Sequence, residues 1–244
     1  MVDTKTKIKT DEIVTMNIET VVTTMDLVPV KGEYKTKNPT IFYHIFKRIF
    51  DIIVGFVGCV LIIPITIAII IMRNKNKEDG PIFFDQLRIG KKGKHFKLYK
   101  YRSMYLNADE TLKKYLEDHE EAREEYKKFK KLKVDPRITK TGKILRRTSL
   151  DEFPQFFNVL LGDMSIVGPR PYLPRELEDI KFYDDIIKCK PGITGYWQVH
   201  GRSDTTFENR NELDKYYVEH RSTWLDLKIF IKTITDVFKK KGAL

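Results

Sequence analysis

The residues best suited to catalysis are an adjacent acidic pair, Asp151 and Glu152, with arginines on both sides in the sequence. Arg146 precedes the pair, and Arg170 follows it between two prolines. Those prolines restrict the backbone, so the Arg170 guanidinium loses less conformational entropy when it binds a phosphate group. Cations around two carboxylates suit a divalent metal ion with a phosphorylated ligand, and a carboxylate can also attack phosphorus to form a covalent intermediate. The pattern therefore indicates phosphate chemistry.

The same acidic pair also fits a structural role at the start of a helix. Ser149 and Glu152 have the spacing of a capping box, and carboxylates in a first helical turn interact favourably with the helix dipole. Pro154 fits best in the opening turn, which favours a helix start near Leu150 or Asp151. Taken alone, an acidic pair in this position is structural more often than catalytic.

The composition is that of a folded, basic protein. Of its 244 residues 41% are hydrophobic, which is enough to bury a core in one large or two small domains. Lys and Arg number 45 against 34 Asp and Glu, so the net charge of +11 suits an anionic partner such as nucleic acid, phospholipid or a phosphorylated substrate. Two cysteines, Cys59 and Cys189, argue against a disulfide framework and for a reducing compartment.

One segment, residues 49–72, is apolar enough for a membrane and has a single charge, Asp51, near its start. It is too long and too deep in the chain for a cleaved signal peptide. Basic residues flank both ends, including Lys47 and Arg73, so the positive-inside rule gives no orientation. Pro64 predicts a bend. A re-entrant helix, a straight span and a buried core helix all remain open at this point.

The remaining elements are predicted from periodicity. Alternating apolar and basic residues in HFKLYKYR, at 95–102, predict a strand after a turn at Gly90 to Gly93, within a small strand element near Phe83 to Tyr101. The lysines of 83–103 can contact phosphates, lipid headgroups or water. A three- and four-residue apolar repeat predicts one helix from Tyr105 to Lys133. Two further helices are predicted near Glu212 to Glu219 and Leu225 to Lys240. Residues 1–38 show no sustained period.

Six ordered motifs resemble a known family, the bacterial sugar transferases, which are monotopic polyprenyl-phosphate phosphoglycosyltransferases. The resemblance covers the chain from Tyr43 to the C-terminus. Its motifs are the apolar segment with an internal proline, FKLYKYRSM at 96–104, DPRIT at 135–139, SLDEFPQFFNVLLGDMS at 149–165, VGPRP at 167–171 and KPGITGYWQVHGR at 190–202. Six motifs in one order do not arise by chance.

The resemblance implies a reaction and a mechanism. A UDP-sugar donates its sugar-1-phosphate to undecaprenyl phosphate, UMP is released, and sugar-diphosphoundecaprenol forms, as the first membrane step of capsule, exopolysaccharide or other surface glycan synthesis. Asp151 maps to the nucleophile that forms a covalent phosphosugar intermediate. Glu152 maps to the second acidic residue, and both are implied to handle Mg²⁺, which neutralises the pyrophosphate oxygens that would repel a carboxylate.

The resemblance also implies which residues bind the phosphates. Arg146 and Arg170 map to phosphate ligands, and Lys100 to a phosphate or headgroup contact. The loop from Gly192 to Arg202 maps close to the nucleotide, with Arg202 as the contact within it. The implied partners are the UDP-sugar, undecaprenyl phosphate and the membrane, without nucleic acid.

The implied fold is α+β and predominantly helical, with a re-entrant helix broken at Pro64 and a catalytic domain on the cytoplasmic face of the bacterial inner membrane. The expected organisation is a flexible tail over residues 1–40, a membrane-inserted region over 41–75 and the catalytic domain over 76–244, as in the small form of the family. Ile63 is a departure, because well-known members have serine before this proline, and a serine hydroxyl can satisfy a freed backbone carbonyl.

A competing hypothesis is a membrane-tethered basic protein that binds nucleic acid or acidic lipid without catalysis. It accounts for the positive charge and the apolar segment. It leaves the acidic pair, the GPRP motif and the GITGYWQVHGR stretch unexplained, and no nucleic-acid-binding module is recognisable.

Overall fold

The structure is a computed structural model that describes residues 39–200 and 205–239. Its first element is a 36-residue helix, α1, from Ile41 to Asn76. The Thr40 side chain accepts a hydrogen bond from the Tyr43 backbone amide, and Lys77 ends the helix in the left-handed conformation. Within the described residues α1 is the one helix that is long and apolar enough to cross a membrane.

One face of α1 packs against the rest of the chain along nearly its whole length. Its buried residues recur every three or four positions or at multiples of that spacing: Tyr43, Asp51, Gly55, Gly58, Ile69 and Arg73. The other face exposes a row of large apolar side chains, including Phe42, Phe46, Ile53, Phe56, Ile63, Ile67 and Ile71. The helix is therefore divided lengthwise into a face that contacts protein and an apolar face that no described residue covers.

Glycine allows α1 to approach the segment that follows the acidic pair closely. A Cβ atom built on Gly58 would come within 2.2 Å of the Phe156 ring, and one on Gly55 within 3.1 Å of Leu160. Both partners lie on α5, a helix from Gln155 to Leu161. These contacts fix α1 directly beside the segment that follows the acidic pair.

The helix runs through Pro64 without interruption, so the predicted break is not confirmed. Proline lacks the amide hydrogen that would bond to the carbonyl four residues earlier, and its ring crowds the preceding turn. Two hydroxyl groups converge on the nearby Ile62 carbonyl: Thr66 Oγ1 at 2.7 Å and the Tyr101 hydroxyl at 3.1 Å. They supply hydrogen-bond donors next to the proline in a chain that has Ile63 where a serine was expected.

The strand predicted after the turn at Gly90 to Gly93 is confirmed, and it pairs with a strand that precedes the turn. Strands β1, from Phe83 to Ile89, and β2, from His95 to Tyr101, form an antiparallel hairpin around a short 3-10 turn at Lys91–Gly93. A second, parallel pair joins β3, from Ser165 to Val167, with β4, from Gly192 to Thr194.

The predicted single helix from Tyr105 to Lys133 is wrong. The structure has two helices, α2 from Ala108 to Asp118 and α3 from Glu120 to Phe129, separated by an extended residue, His119. No glycine or proline marks this break in the sequence. The other helices are α4 (Lys140–Thr148), α5, α6 (Tyr183–Ile186), α7 (Tyr196–His200), α8 (Phe207–His220) and α9 (Thr223–Phe238). The fold is α+β and predominantly helical, as predicted.

Candidate active site

The acidic pair lies on a short turn between two helices, not in the first turn of an α-helix. After α4 ends, Ser149 adopts the left-handed conformation with φ of 56°, and Leu150–Glu152 form a 3-10 turn. The Ser149 side chain makes no capping hydrogen bond, and α5 begins only at Gln155. The predicted capping box is therefore wrong, because the left-handed Ser149 closes α4 and its side chain caps nothing. A helix does start at Leu150, as expected, but it is a single 3-10 turn.

Apolar packing holds this turn in place. Ile69 of α1, Tyr101 of β2 and Leu145 of α4 form a buried cluster, and the cluster packs against Leu150 and Phe153 on both sides of the acidic pair. The turn is thereby fixed to three different elements, which limits the freedom of the two carboxylates.

Buried Asn158 on α5 sets the position of β2. Its side-chain oxygen accepts from the Tyr99 amide at 3.0 Å, and its Nδ2 donates to the Lys97 carbonyl at 2.7 Å. Lys100 lies two residues after Leu98 on β2. The two hydrogen bonds of Asn158 therefore place Lys100 beside the acidic turn. The Lys100 ammonium lies 2.8 Å from Glu152 Oε1.

The two carboxylates differ in environment. Asp151 is only 8% exposed, whereas the Glu152 side chain is about one-third exposed. Burial raises the pKa of Asp151, and the Glu152 charge adds to the rise while Lys100 and Arg146 oppose it. Burial also acts to raise the pKa of Glu152, but the charge and hydrogen bond of Lys100 outweigh it and hold this pKa below its usual value. Glu152 is therefore the firmly ionised member of the pair.

Arg146 approaches the turn from α4. Its Nε donates to Ser103 Oγ at 3.1 Å, and its charge interacts most strongly with that of Asp151. Arg146, Lys100, Asp151 and Glu152, which the sequence predicted as site residues, are thus brought together.

Arg170 belongs to the same charged region, and Asp214 holds its backbone in place. Its backbone amide donates to Asp214 Oδ2 at 3.0 Å, and the Tyr172 hydroxyl donates to the same oxygen at 2.8 Å. Its guanidinium lies 3.4 Å from Glu176 Oε1, and its charge helps to lower the pKa of Glu152. Burial raises the pKa of Asp214 from 3.8 to about 7.

Two further arginines extend this cationic region and were not singled out from the sequence. Arg88 donates to the Pro171 carbonyl at 2.8 Å, and burial followed by the Arg170 charge lowers its pKa to about 10. Arg210, 2% exposed, stacks over the Trp197 ring at 5.1 Å. Burial also lowers the pKa of Arg210 to about 10. Arg88 was visible only as part of a basic stretch, and Arg210 lies in no motif. Arg202, predicted near the nucleotide, lies outside the described residues.

The predicted metal ligands are the two carboxylates of Asp151 and Glu152. Among residues 39–200 and 205–239, no group of three or more His, Cys, Asp or Glu is arranged to hold a metal ion. Mg²⁺ commonly uses one or two protein carboxylates and takes its other ligands from water and substrate phosphates. Asp151 and Glu152 fit that mode of binding, in which the substrate completes the coordination.

Comparison with known proteins gives the family. Residues 42–240 match the family described as Bacterial sugar transferase. The chain belongs to this family. The matched region includes every element that forms the acidic turn and its cationic surroundings, so the family resemblance predicted from the six motifs is confirmed.

Three relatives illustrate the similarity of this chain to named proteins. An undecaprenyl-phosphate galactose phosphotransferase of Salmonella typhimurium is 44% identical over 81% of this chain and 41% of its own length. A UDP-glucose:undecaprenyl-phosphate glucose-1-phosphate transferase of Klebsiella pneumoniae is 41% identical over 82% of this chain and 41% of its own length. The exopolysaccharide production protein ExoY of Rhizobium meliloti is 38% identical over 81% and 87%. The chain thus spans about two fifths of the first two relatives.

Proposed function

We propose that this chain transfers a sugar-1-phosphate from a UDP-sugar to undecaprenyl phosphate and releases UMP. The observation that carries the proposal is the buried Asp151 on a rigid turn, flanked by Lys100 and Arg146. The names of the relatives, which include galactose and glucose phosphotransferases acting on undecaprenyl phosphate, support the same reaction class. The non-catalytic alternative gives no reason for a carboxylate to be buried among these cations.

The proposed chemistry proceeds in two displacements at one phosphorus atom. A carboxylate oxygen of Asp151 attacks the phosphorus attached to the sugar, the bond from that phosphorus to the bridging oxygen breaks, and UMP leaves with the electron pair. A phosphate oxygen of undecaprenyl phosphate then attacks the same phosphorus. The bond to Asp151 breaks, the carboxylate is regenerated, and sugar-diphosphoundecaprenol forms.

The surrounding cations make the first displacement feasible. Arg146 and Lys100 lower the pKa of Asp151 against the effect of burial, so they maintain a fraction of the carboxylate form that attacks. Arg170, with Arg88 and Arg210 behind it, presents positive charge to the phosphates of the donor. Mg²⁺ held by Asp151, Glu152 and the donor phosphates would neutralise pyrophosphate charge.

We further propose that α1 enters and leaves the bilayer from the cytoplasmic face. A helix that crossed the bilayer would carry one end away from the catalytic domain, yet α1 contacts that domain near both ends. Lys47 donates to the Val167 carbonyl at 2.8 Å, and Asn76 Nδ2 at the other end donates to Thr141 Oγ1 at 3.0 Å. The uncovered apolar face between these contacts supports insertion into one leaflet. A bend at Pro64 within the continuous helix is part of the proposal, since a proline ring crowds the preceding turn. Residues 41–75 then form the membrane region and 76–244 the catalytic domain.

Intact-protein mass spectrometry tests the mechanism. The full chain in detergent is incubated with Mg²⁺ and single UDP-sugars in the absence of a lipid acceptor. We expect a mass gain of one sugar phosphate with the correct donor, and its disappearance when undecaprenyl phosphate is added. The variant Asp151→Asn is expected to form no adduct. An adduct of equal yield in that variant would refute the assignment of Asp151, and absence of any UMP release with acceptor present would favour the non-catalytic alternative.

A further inference from the structure

A second concentration of positive charge lies beside the N-terminal half of α1. It lines a cavity of about 90 Å³ between α1, the turn after β1 and the chain that leads into β4. The basic residues that line it are His44, Lys47, Arg48, Lys91, Lys188, Lys190 and Arg221. The one acidic residue in its wall is Asp51.

This cavity is separate from the catalytic turn. None of Asp151, Glu152, Lys100 or Arg146 lines it, and Arg170 does not either. On α1, Asp51 lines the cavity, whereas Ile69 belongs to the apolar cluster that packs against the catalytic turn. Eighteen residues of helix separate the two, which corresponds to as much as about 27 Å along the axis.

Acids outside the wall pair with two of these cations, Lys47 with Asp226 at 2.7 Å and Lys188 with Asp185 at 2.5 Å, and the other cations of the cavity form no ion pair among the described residues. Both hydrogen bonds to Asp51 Oδ1 come from β3, from the Ser165 hydroxyl at 2.9 Å and the Ile166 amide at 2.8 Å. The ammonium groups of Lys91 and Lys190 make no hydrogen bond or ion pair with any described residue. Burial and the nearby Arg48 charge lower the pKa of Lys190, as expected for a cation among cations.

The cavity also adjoins the apolar face of α1. Ile41, Phe42, Ile45 and Phe46 are more than half exposed on the same two turns of helix that carry His44 and Lys47. A ligand with a phosphate group attached to hydrocarbon chains matches both surfaces at once.

We propose that this cavity binds a phosphate group, supplied by the headgroup of an anionic phospholipid or as free phosphate, at a site distinct from the one where the reaction occurs. The volume suits a single phosphate group. The site would hold the N-terminal half of α1 at the headgroup level of the membrane. The proposal rests on the proposed insertion of α1 into one leaflet of the membrane, but not on the sugar transfer reaction.

The test uses the full chain in non-ionic detergent micelles, with phosphatidylglycerol added in steps and Tm as the readout. The variant Lys91→Gln/Lys190→Gln removes the two unpartnered ammonium groups. Its matched control, Lys92→Gln/Lys94→Gln, removes the same charge from exposed residues of the same turn that do not line the cavity. Since a lysine near an anionic lipid contributes about a fivefold gain in binding, we expect the first variant to need about 25-fold more lipid for half the shift. The control should respond as the unmodified chain does.

The outcomes separate the sources of phosphate. A Tm rise with phosphatidylglycerol but with neither phosphatidylcholine nor inorganic phosphate identifies a lipid headgroup. A rise with inorganic phosphate that abolishes the further effect of phosphatidylglycerol identifies free phosphate. An equal loss in both double variants, or no rise with any anion, overturns the proposal. If the first variant does not fold, native mass spectrometry of the unmodified chain decides, because retained phosphatidylglycerol or phosphate is expected and the absence of both refutes the site.

Sugar transfer in detergent at saturating acceptor should be unchanged within about twofold in both double variants, since neither touches the catalytic turn. If Lys91→Gln/Lys190→Gln lost sugar transfer but kept its response to lipid, these lysines would act in the reaction, and the proposal of a separate site would have no support. A loss of lipid response with transfer intact supports the proposal even if the proposed sugar donor is wrong.

Discussion

Two buried aspartates, Asp151 on the acidic turn and Asp214 behind the GPRP turn, have raised pKa values for the same first reason, which is burial. Their partners differ. Asp214 Oδ2 accepts two hydrogen bonds, from the Tyr172 hydroxyl and the Arg170 amide. Asp151 instead faces the charges of Lys100 and Arg146, and its turn is fixed by the apolar residues around it.

The two aspartates share a raised pKa but differ in how their carboxyl groups are engaged, so the pKa alone does not distinguish their roles. Asp214 is committed to hydrogen bonds that hold the backbone of Arg170, so its role is to position that residue. Asp151 is held by packing and leaves its carboxylate available among cations, which is the arrangement that nucleophilic attack on a phosphate requires. Substitutions at the two positions should therefore separate activity from stability.

The largest expected effect is that of Asp151→Asn on transfer. The amide has nearly the same shape but is not a nucleophile, so we expect activity to fall by about 10³-fold or more while Tm changes by only a few degrees. UMP release with undecaprenyl phosphate measures the activity, and a thermal melt measures the Tm. Asp184→Asn, on an exposed residue of α6, is the control. Activity within tenfold of the unmodified chain in Asp151→Asn would contradict the proposed role.

Asp214→Asn should change the pH dependence of stability. The native carboxyl, with a pKa of about 7, keeps its proton over a pH range in which the unfolded carboxyl has lost it. Its contribution to stability is therefore complete below pH of about 4 and is lost as pH rises through 7, by roughly 4 kcal/mol in total. Thermal melts at steps from pH 4 to 8 should show this decline in the unmodified chain and a smaller decline in Asp214→Asn. Parallel curves would contradict the assignment.

Lys100→Gln should have an intermediate effect on activity. Lys100 lowers the pKa of both Asp151 and Glu152, so its loss raises both and reduces the fraction of carboxylate at neutral pH. We expect transfer to fall by about 10- to 100-fold and the rising limb of the rate–pH profile to move to higher pH. Lys97→Gln, on the same strand but mostly exposed, is the control and should leave the profile in place.

Tyr101→Phe should have the smallest effect. The change keeps the ring in the apolar cluster and removes the hydroxyl that donates to the Ile62 carbonyl near Pro64. We expect a loss of about 1 kcal/mol, seen as a fall in Tm of about 2 to 4 °C. Tyr99→Phe on the same strand is the control, since no hydrogen bond to the Tyr99 hydroxyl is present among the described residues. Equal shifts in the two variants would show that the hydroxyl near the proline is unimportant.

Local patterns predicted much of the fold. The alternation in 95–102 predicted β2, and hydropathy predicted α1, because both signals lie within one stretch of chain. The break at His119 was missed because no glycine or proline marks it. The end of α4 was misread because a left-handed Ser149 has no signature that distinguishes it from an N-cap serine.

The candidate site was predicted in part, and the reason is distance along the chain. Motif resemblance indicated Lys100, Arg146, Asp151 and Arg170, which the structure gathers into one charged region. Arg88 and Arg210 join that region only through folding, the former by bonding to the Pro171 carbonyl and the latter by stacking on Trp197. A basic stretch and an isolated arginine carry no local sign of such contacts.

The stripe of contacts along α1 also has a consequence for the order of events during synthesis. Asp51 accepts a hydrogen bond from Ser165, which lies 114 positions later in the chain. Lys47 forms an ion pair with Asp226, which lies 179 positions later. At typical rates of translation, the helix is made on the order of 10 s before the residues that cover its packed face exist. During that interval lipid is the available apolar partner, so α1 is expected to reach the membrane first and the catalytic domain to assemble upon it.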